Sequence, residues 1–600
     1  MLLSVAVIGC EIWRCRSLLR GGLRDEFEGL VVRTTGYLRT LSRFEKVLLA
    51  VVLYQLALSL MHTLYWPIFS WDALGYWLYY GRAFYEEGTM NLTNHQLWIE
   101  IPAVKGMGMA YPMLIPLLYA WLFTCTGAID PLLANSVQAV FLLVLALTVF
   151  RLFKGSSAGH LSFLACMFFL LSSYAIAIHW DAFKGVADFP LFVSDLTLIY
   201  LVLRFWRAPS AMNAAAAGLV GGLSGALKQL GLVFVLLAAA LVLLRSLLER
   251  RERIISRLTC FLAYAASAMF FSLPYYIYSV ARAPTETATF WTPAILSAFN
   301  LAMLSEFALA VLRGLYTRVW GLAPIVAFIA VLIAWRKIPL TKIVLYWVFG
   351  SLFIYYLFVS TTTLGSLEMG TLFSYAGKYT LPIFSLFAVI AGGAAGVLWH
   401  KGQAERITRR SIYSIIFLAL LVGNVALNFG VMRSYMTPPF MTQKGVIVDR
   451  NLDQKYIAKL GGFYEVSMYI NDKTPPGSAI ITPGYYRYFF FNARDHRKLY
   501  GWEERPGLWT SNLTELRLEL RHLESPHVYV VEEPWFTGFV PYDFFFRSGL
   551  YTHRQEIMTL LFTTDDGYLV YQVKTEFING NSTVSDFLGG RLAVDRLRTS

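Results

Sequence analysis

Apolar runs of roughly 17 to 24 residues recur along the first 430 positions of the sequence, and none follows Gly430. At 1.5 Å of rise per residue, a helix of about 20 residues crosses a hydrocarbon layer ~30 Å thick. Lipid offers no water to satisfy backbone N–H and C=O groups, so runs of this kind are helices packed on one another. The chain therefore reads as a polytopic α-helical membrane protein, with spans at about 46–66, 131–152, 160–179, 188–206, 212–228, 230–246, 258–281, 318–336, 342–360, 379–398 and 411–430. That makes about eleven transmembrane helices. A composition that is 57% hydrophobic and 15% charged excludes an ordinary soluble domain. The net charge of +13 sits mostly in short basic clusters between the apolar runs, which orients spans and argues against nucleic acid as a partner.

Those clusters set the topology. Arg14, Arg16, Arg20, Arg24, Arg33, Arg39 and Arg43 place residues 1–45, a basic N-terminal segment, in the cytoplasm. One further apolar run, "YPMLIPLLYAWLFTCTG" at 111–127, is read as a half-buried helix on the outer side. Counted as a crossing, it would carry Arg151 and Lys154 outside and invert every later loop. Left uncrossed, it puts "RLFK", "RSLLERRERIISR" and "KGQAERITRR" inside, and the polar tail from residue 431 emerges on the extracytoplasmic face.

The outward loops then hold the unusual polar residues. Asp72, Asp181 and Asp188 supply carboxylates, and Lys105, Lys184, Lys228, Arg282 and Lys378 supply cations. Ionisable groups at membrane depth are costly and mark function. A carboxylate can take a proton, and a set of cations can hold a phosphate. Trp71, Tyr76, Trp77 and Tyr111 offer rings for sugar or acceptor contacts. Plain structural readings stand beside these. Asp72 can cap the helix "ALGYWLYYGRAFYEEG" that Gly88 closes, and the rings Trp66, Trp71, Tyr76, Trp77, Tyr79 and Tyr80 can form an interfacial belt. Asp188 can be an N-cap ahead of Pro190, Lys228 can snorkel to the interface, and Glu86 and Glu87 read as a solvated face. Cys10, Cys15, Cys125, Cys166 and Cys260 all precede the tail, so it has no disulfide framework. His62 and His179 lack metal-ligand spacing, and neither a metal nor a cofactor is called for.

In order along residues 46–430 come "WDALGYWLYYGRAFYEEG", "YPMLIPLLYAWLF", "GVADFPLFVSDLTLIYLVLR", "GLVGGLSGALKQLGLVFVLL" and "GKYTLPIFSLFAVIAG". This series resembles the GT-C superfamily of membrane glycosyltransferases, nearest to dolichyl-phosphate-mannose protein mannosyltransferases and lipid-A aminoarabinose transferases. The resemblance implies a GT-C-like transmembrane catalytic domain over 46–430 and a donor that is a sugar on a polyprenyl phosphate. It also implies a lipid, glycan or protein acceptor. It matches Asp72 to the family's catalytic first-loop acid, Asp188 to the acid opening a later span, and Lys378 to a base that is more often Arg. Two departures stand out: Ala73 follows Asp72 where the family often has a second acid, and Lys378 is a point charge where Arg would bind phosphate in a bidentate way.

The chemistry of such a transfer needs one base near the acceptor hydroxyl and cations on the leaving phosphate. It needs no general acid, because the leaving group is already a stable anion. The alternative is a polytopic transporter of a lipid-linked or anionic substrate, but its charges would gather at mid-membrane in repeated halves, whereas these gather at the outer ends. The tail reads as a C-terminal α+β extracytoplasmic domain over 431–580, with strands in "SAIITPGYYRYFFF", "HVYVVEE" and "GYLVYQVK" and a helix in "NLTELRLELRHLE". Residues 581–600 lack a hydrophobic pattern and read as a loose tail.

Overall fold

The computed structural model of the chain describes residues 41–70, 73–90, 112–154, 159–172, 185–228, 230–248, 254–282, 387–396, 451–482, 498–500, 506–533 and 548–580, with a few isolated positions besides. The expected spans at 318–336 and 342–360, most of the two after them, the N-terminal segment and residues 581–600 lie outside the described residues.

Helix α1 (Arg43–Tyr65) begins at a capping box, in which Ser42 Oγ accepts from the Glu45 N–H and the Glu45 carboxylate accepts from the Ser42 N–H at 2.9 Å. A π-helical turn, Ala73–Trp77, runs into α2 (Leu78–Glu87), which ends at Gly88 with φ +65°, as its sequence leads one to expect. Helix α3 (Leu114–Thr126) follows, and α4 (Pro131–Phe153) starts where Asp130 accepts from the Leu132 and Leu133 N–H groups ahead of a proline at the first helical position. Next come α5 (Gly159–Leu171), α6 (Asp188–Arg207), α7 (Ala211–Leu227), α8 (Leu230–Leu248), α9 (Ile254–Arg282) and α10 (Phe387–Gly396). Among the described residues α1, α4, α6, α8 and the Leu258–Ile277 part of α9 are long and apolar enough to cross a membrane. Helix α7 packs through its glycines: a Cβ at Gly218 or Gly222 would run into the backbone carbonyls of Tyr264 or Ala268 on α9. Close approach of this kind is how helices associate where burial from water drives nothing.

Helices α11 (Leu452–Leu460) and α12 (Gly462–Lys473) precede the sheet. Its strands are β1 (Ala479–Ile481), β2 (Lys498–Tyr500), β3 (Val528–Glu532), β4 (Met558–Thr563) and β5 (Leu569–Val573), in the order β2-β1-β3-β5-β4. Strand β1 is parallel to both neighbours, and β3, β5 and β4 pair antiparallel. Helix α13 (Leu513–Arg521) makes the crossover between β2 and β3. The strand and helix cores expected at 479–481, 513–521, 528–532 and 569–573 are found, whereas β2, β4, α11 and α12 have no counterpart in the sequence reading.

Burial alternates with period two. Ala479, Ile481, Val528 and Val530 face a core built with Leu516 and Leu520 of α13. Ile480, Tyr529, Val531 and Val570 face the other way, into a core shared with Phe463 and Ile470 of α12 and with Ile68, Leu74, Trp77, Ile115, Tyr119 and Phe123. One continuous core thus joins the sheet to the segment after α1 and to α3. Lys455 and Lys459 of α11 lie over the rings of Tyr65 and Trp66, with centroid distances of 4.1 and 4.2 Å, and fix the same contact from the side.

This packing changes two expectations. Trp66, Trp77, Tyr79 and Tyr80 are buried in protein and do not form an interfacial belt. Glu86 is not on a solvated face: it pairs with Arg82 at 2.9 Å, both side chains being little exposed.

The Asn135 side chain near the start of α4 donates to the Trp66 carbonyl just past α1, at 3.0 Å. The chain therefore returns to the end of the bundle it left. Helix α3, with 13 residues, is about 20 Å long, too short to cross. Helix α4 then runs 23 residues, about 35 Å, away from the sheet. A cysteine at position 156 is expected to be labelled from the membrane side opposite to one placed at Asp565. Labelling of both by the same impermeant reagent in intact cells refutes this arrangement.

Candidate functional site

The N-terminus of α6 lies where the end of α7, α3, the start of α4 and the segment after α1 converge. Asp188 is the first residue of α6, and the cap position is Ala187, so Asp188 is not the N-cap. Its carboxylate instead takes the ammonium of Lys228, the residue that closes α7 with extended backbone (φ −157°, ψ 151°). Both side chains are buried, so Lys228 does not snorkel outward. Burial of either charge alone would be costly, and the pair offsets that cost only with both members present.

Backbone around this pair is gripped by side chains. Tyr119 of α3 donates its hydroxyl to the Gly185 carbonyl at 2.8 Å, and Gln138 of α4 donates its amide to the Val186 carbonyl at 3.1 Å. Gly185 has φ +78°, and Ile68 packs so closely that a Cβ there would lie 2.6 Å from its Cδ1. Glycine is the residue this left-handed, crowded position accepts. Ile68 stands four residues before Asp72, and Gly185 three before Asp188, so the stretches leading to the two expected carboxylates touch.

Of the residues singled out in the sequence, the structure brings Asp188 and Lys228 into direct contact. Tyr76 is half-buried, with its ring edge-on to Trp77 at 4.6 Å and its hydroxyl 3.8 Å from Met113 Sδ. Trp77 is buried in the core shared with the sheet. Arg282 is the last residue of α9. Asp72, Trp71, Lys105, Tyr111 and Lys378 lie outside the described residues, as do Asp181 and Lys184. Among the described residues no cluster of His, Cys, Asp or Glu could hold a metal ion. Tyr119, Asn135 and Gln138 were not singled out. The available signal was an Asn and a Gln three residues apart in "PLLANSVQAVFLLVLAL", which is apolar apart from them and Ser136, a spacing that puts both on one helix face.

No model of a known protein family matches the sequence, and no curated protein matches it. Solved structures do match by fold. ArnT from Cupriavidus metallidurans in the apo state superposes with a TM-score of 0.53 at 13% identity, covering 92% of this chain and 100% of that one. The apo Archaeoglobus fulgidus oligosaccharyltransferase superposes with a TM-score of 0.51 at 10% identity, over 90% of this chain and 75% of that one. The likeness is one of fold: the chain shares with these two structures a helical architecture with several apolar helices and a small sheet.

The buried pair makes a direct prediction. Asp188→Asn and Lys228→Met, each leaving its partner's charge buried alone, should destabilise the protein by about 3–5 kcal/mol. The double variant should cost less than the sum by at least about 1 kcal/mol. Thermal unfolding of the four proteins in detergent measures this, and strictly additive effects would exclude the coupling.

Proposed function

We propose that the chain is a membrane glycosyltransferase that moves a sugar from a polyprenyl-phosphate donor to an acceptor on the extracytoplasmic face, with Asp72 as the base. The observation that carries this reading is the meeting of the segment before Asp72 with the segment before Asp188, at the helix end the sheet packs on. It occurs in a chain that follows the ArnT fold over nearly its whole length. Supporting it further is the order of motifs along residues 46–430.

On this reading Asp72 takes the proton from the acceptor hydroxyl as the hydroxyl oxygen attacks the anomeric carbon. The bond from that carbon to the phosphate oxygen breaks, and polyprenyl phosphate leaves as a stable anion. Lys378, Arg282 and Lys105 bind the donor phosphate, and Lys228 contributes to it only by sharing its ammonium with Asp188. Trp71, Tyr76 and Tyr111 contact sugar or acceptor, and buried Trp77 backs the Tyr76 ring. The N-terminus is cytoplasmic, and residues 431–580 form an extracytoplasmic domain that covers the site. A donor carried on lipid fits a site outside the cell, where nucleotide sugars are not expected.

Asp72→Asn tests the base. It keeps the size of the side chain and its ability to accept a backbone N–H, so a capping role survives. Loss of a general base lowers rate about 10²- to 10⁴-fold. The variant should insert and melt like the wild type and bind a polyprenyl-phosphate sugar, yet transfer it at about 1% of the rate or less. Near-normal transfer would remove Asp72 from the chemistry and leave Asp188 as the next acid to test.

A further inference from the structure

Side chains from α3 and α4 hold both stretches that lead to the proposed acids. Asn135 donates to the Trp66 carbonyl at 3.0 Å, six residues before Asp72. Gln138, three residues on and on the same helix face, donates to the Val186 carbonyl at 3.1 Å, two residues before Asp188. Tyr119 grips the adjacent Gly185 carbonyl at 2.8 Å. All three side chains are fully buried. Each of the three carbonyls belongs to a residue outside the helices, where the backbone ladder supplies no partner. A polar amide inside an apolar helix costs free energy unless it is bonded, and leucine would serve α4 itself better. The two amides are therefore explained by what they hold.

We propose that Asn135 and Gln138 are positioning residues: they form a rigid spacer on α4 that sets the separation of the segment after α1, residues 66–70, and the segment that opens α6, residues 185–188, with Tyr119 bracing the second. The inference rests on the glycosyltransferase reading and adds to it the part that holds the approach to the proposed base, residues 66–70, against the start of α6. Proton transfer requires heavy atoms about 2.6–3.2 Å apart, and a displacement of about 1 Å costs on the order of 10²-fold in rate. A side-chain amide bonded to a carbonyl holds such a distance more narrowly than apolar contact does, because hydrogen bonds weaken steeply with length and angle. The crowding of Gly185 by Ile68 locks the two segments together directly, so the spacer works on loops that already touch.

The test uses the full-length protein in native-like membranes, with a synthetic polyprenyl-phosphate hexose or pentose as donor and released polyprenyl phosphate as the readout. Gln138→Leu removes the donor group at similar volume. It should lower kcat about 10²-fold while KM for the donor changes less than about threefold. Leu142→Ala, a cavity in the same helix, should lower the melting temperature without that loss of kcat per folded molecule. Gln138→Glu is the rescue arm. Its carboxyl donates to the Val186 carbonyl only when protonated, so the ratio of variant to wild-type rate should rise as pH falls. A ratio flat with pH, or a Gln138→Leu loss no greater than its loss of folded protein, overturns the proposal. Hydrogen exchange of the Asp188, Phe189 and Leu191 amides gives a readout independent of activity: it should quicken at least tenfold in Gln138→Leu and stay unchanged in Leu143→Ala, which alters an exposed position of α4. Faster exchange in a protein that transfers no sugar would uphold the spacer and sink the enzyme reading. Unchanged exchange in an active enzyme would sink the spacer alone.

Discussion

The structure around the site depends on one constraint: where backbone leaves a helix among buried side chains, each carbonyl needs a donor other than water. The carbonyls of Trp66, Gly185 and Val186 meet it through Asn135, Tyr119 and Gln138. The same constraint explains why the first charge beyond this irregular stretch, Asp188, is matched by Lys228 instead of being left to solvent. Irregular backbone away from water is tolerated where protein packs on it, and here Ile68, Val186 and Ala187 belong to one buried core.

That core also decides how the soluble and membrane parts relate. A three-residue parallel strand such as β1 has little stability of its own. It persists because both of its faces are covered, one by α13 and the other by α12 and the core that reaches Tyr119 and Trp77. The sheet is thus built onto the helices, and the cation–π contacts from Lys455 and Lys459 anchor it at Tyr65 and Trp66. Asp566, in the β4–β5 turn, accepts from the Gly462 N–H at 2.8 Å and ties the far edge of the sheet to the start of α12.

The parts legible in the sequence were those that lipid or local geometry imposes. Span length gave α1, α4, α6 and α8 nearly to the residue, and Gly88 gave the end of α2. The parity of basic clusters left 111–127 uncrossed, and its helix, Leu114–Thr126, is one of the shorter apolar ones among the described residues. What escaped was whatever depends on distant partners. Asp188 and Lys228 were each noticed, but their pairing spans 40 positions and no periodicity encodes it. Strand β2 is three residues long, too short for alternation to register. Arg82 and Glu86 have the i,i+4 spacing of an ion pair, yet their burial comes from packing that only the folded chain supplies. The rings of residues 76–80 carry the composition of an interfacial belt, and a neighbouring helix and domain turned them inward.

The ion pair bears on how a donor would be held. Because Lys228 is balanced by Asp188, the pair itself contributes no net charge. On the proposed reading a polyprenyl phosphate brings a negative charge to this wall, and a phosphate that drew Lys228 away would strand the Asp188 carboxylate in a buried place. Neutralisation of the leaving group then falls to cations arriving from other loops, with Arg282 at the end of α9, Lys105 and Lys378 the candidates the sequence offers. Such a division of labour suits the chemistry. On that reading a self-neutral pair holds the α6 terminus, and cations from other segments meet the phosphate. Attraction to the phosphate is then strongest where charge gathers on the leaving oxygen, in surroundings of low dielectric, and that is where stabilisation lowers the barrier.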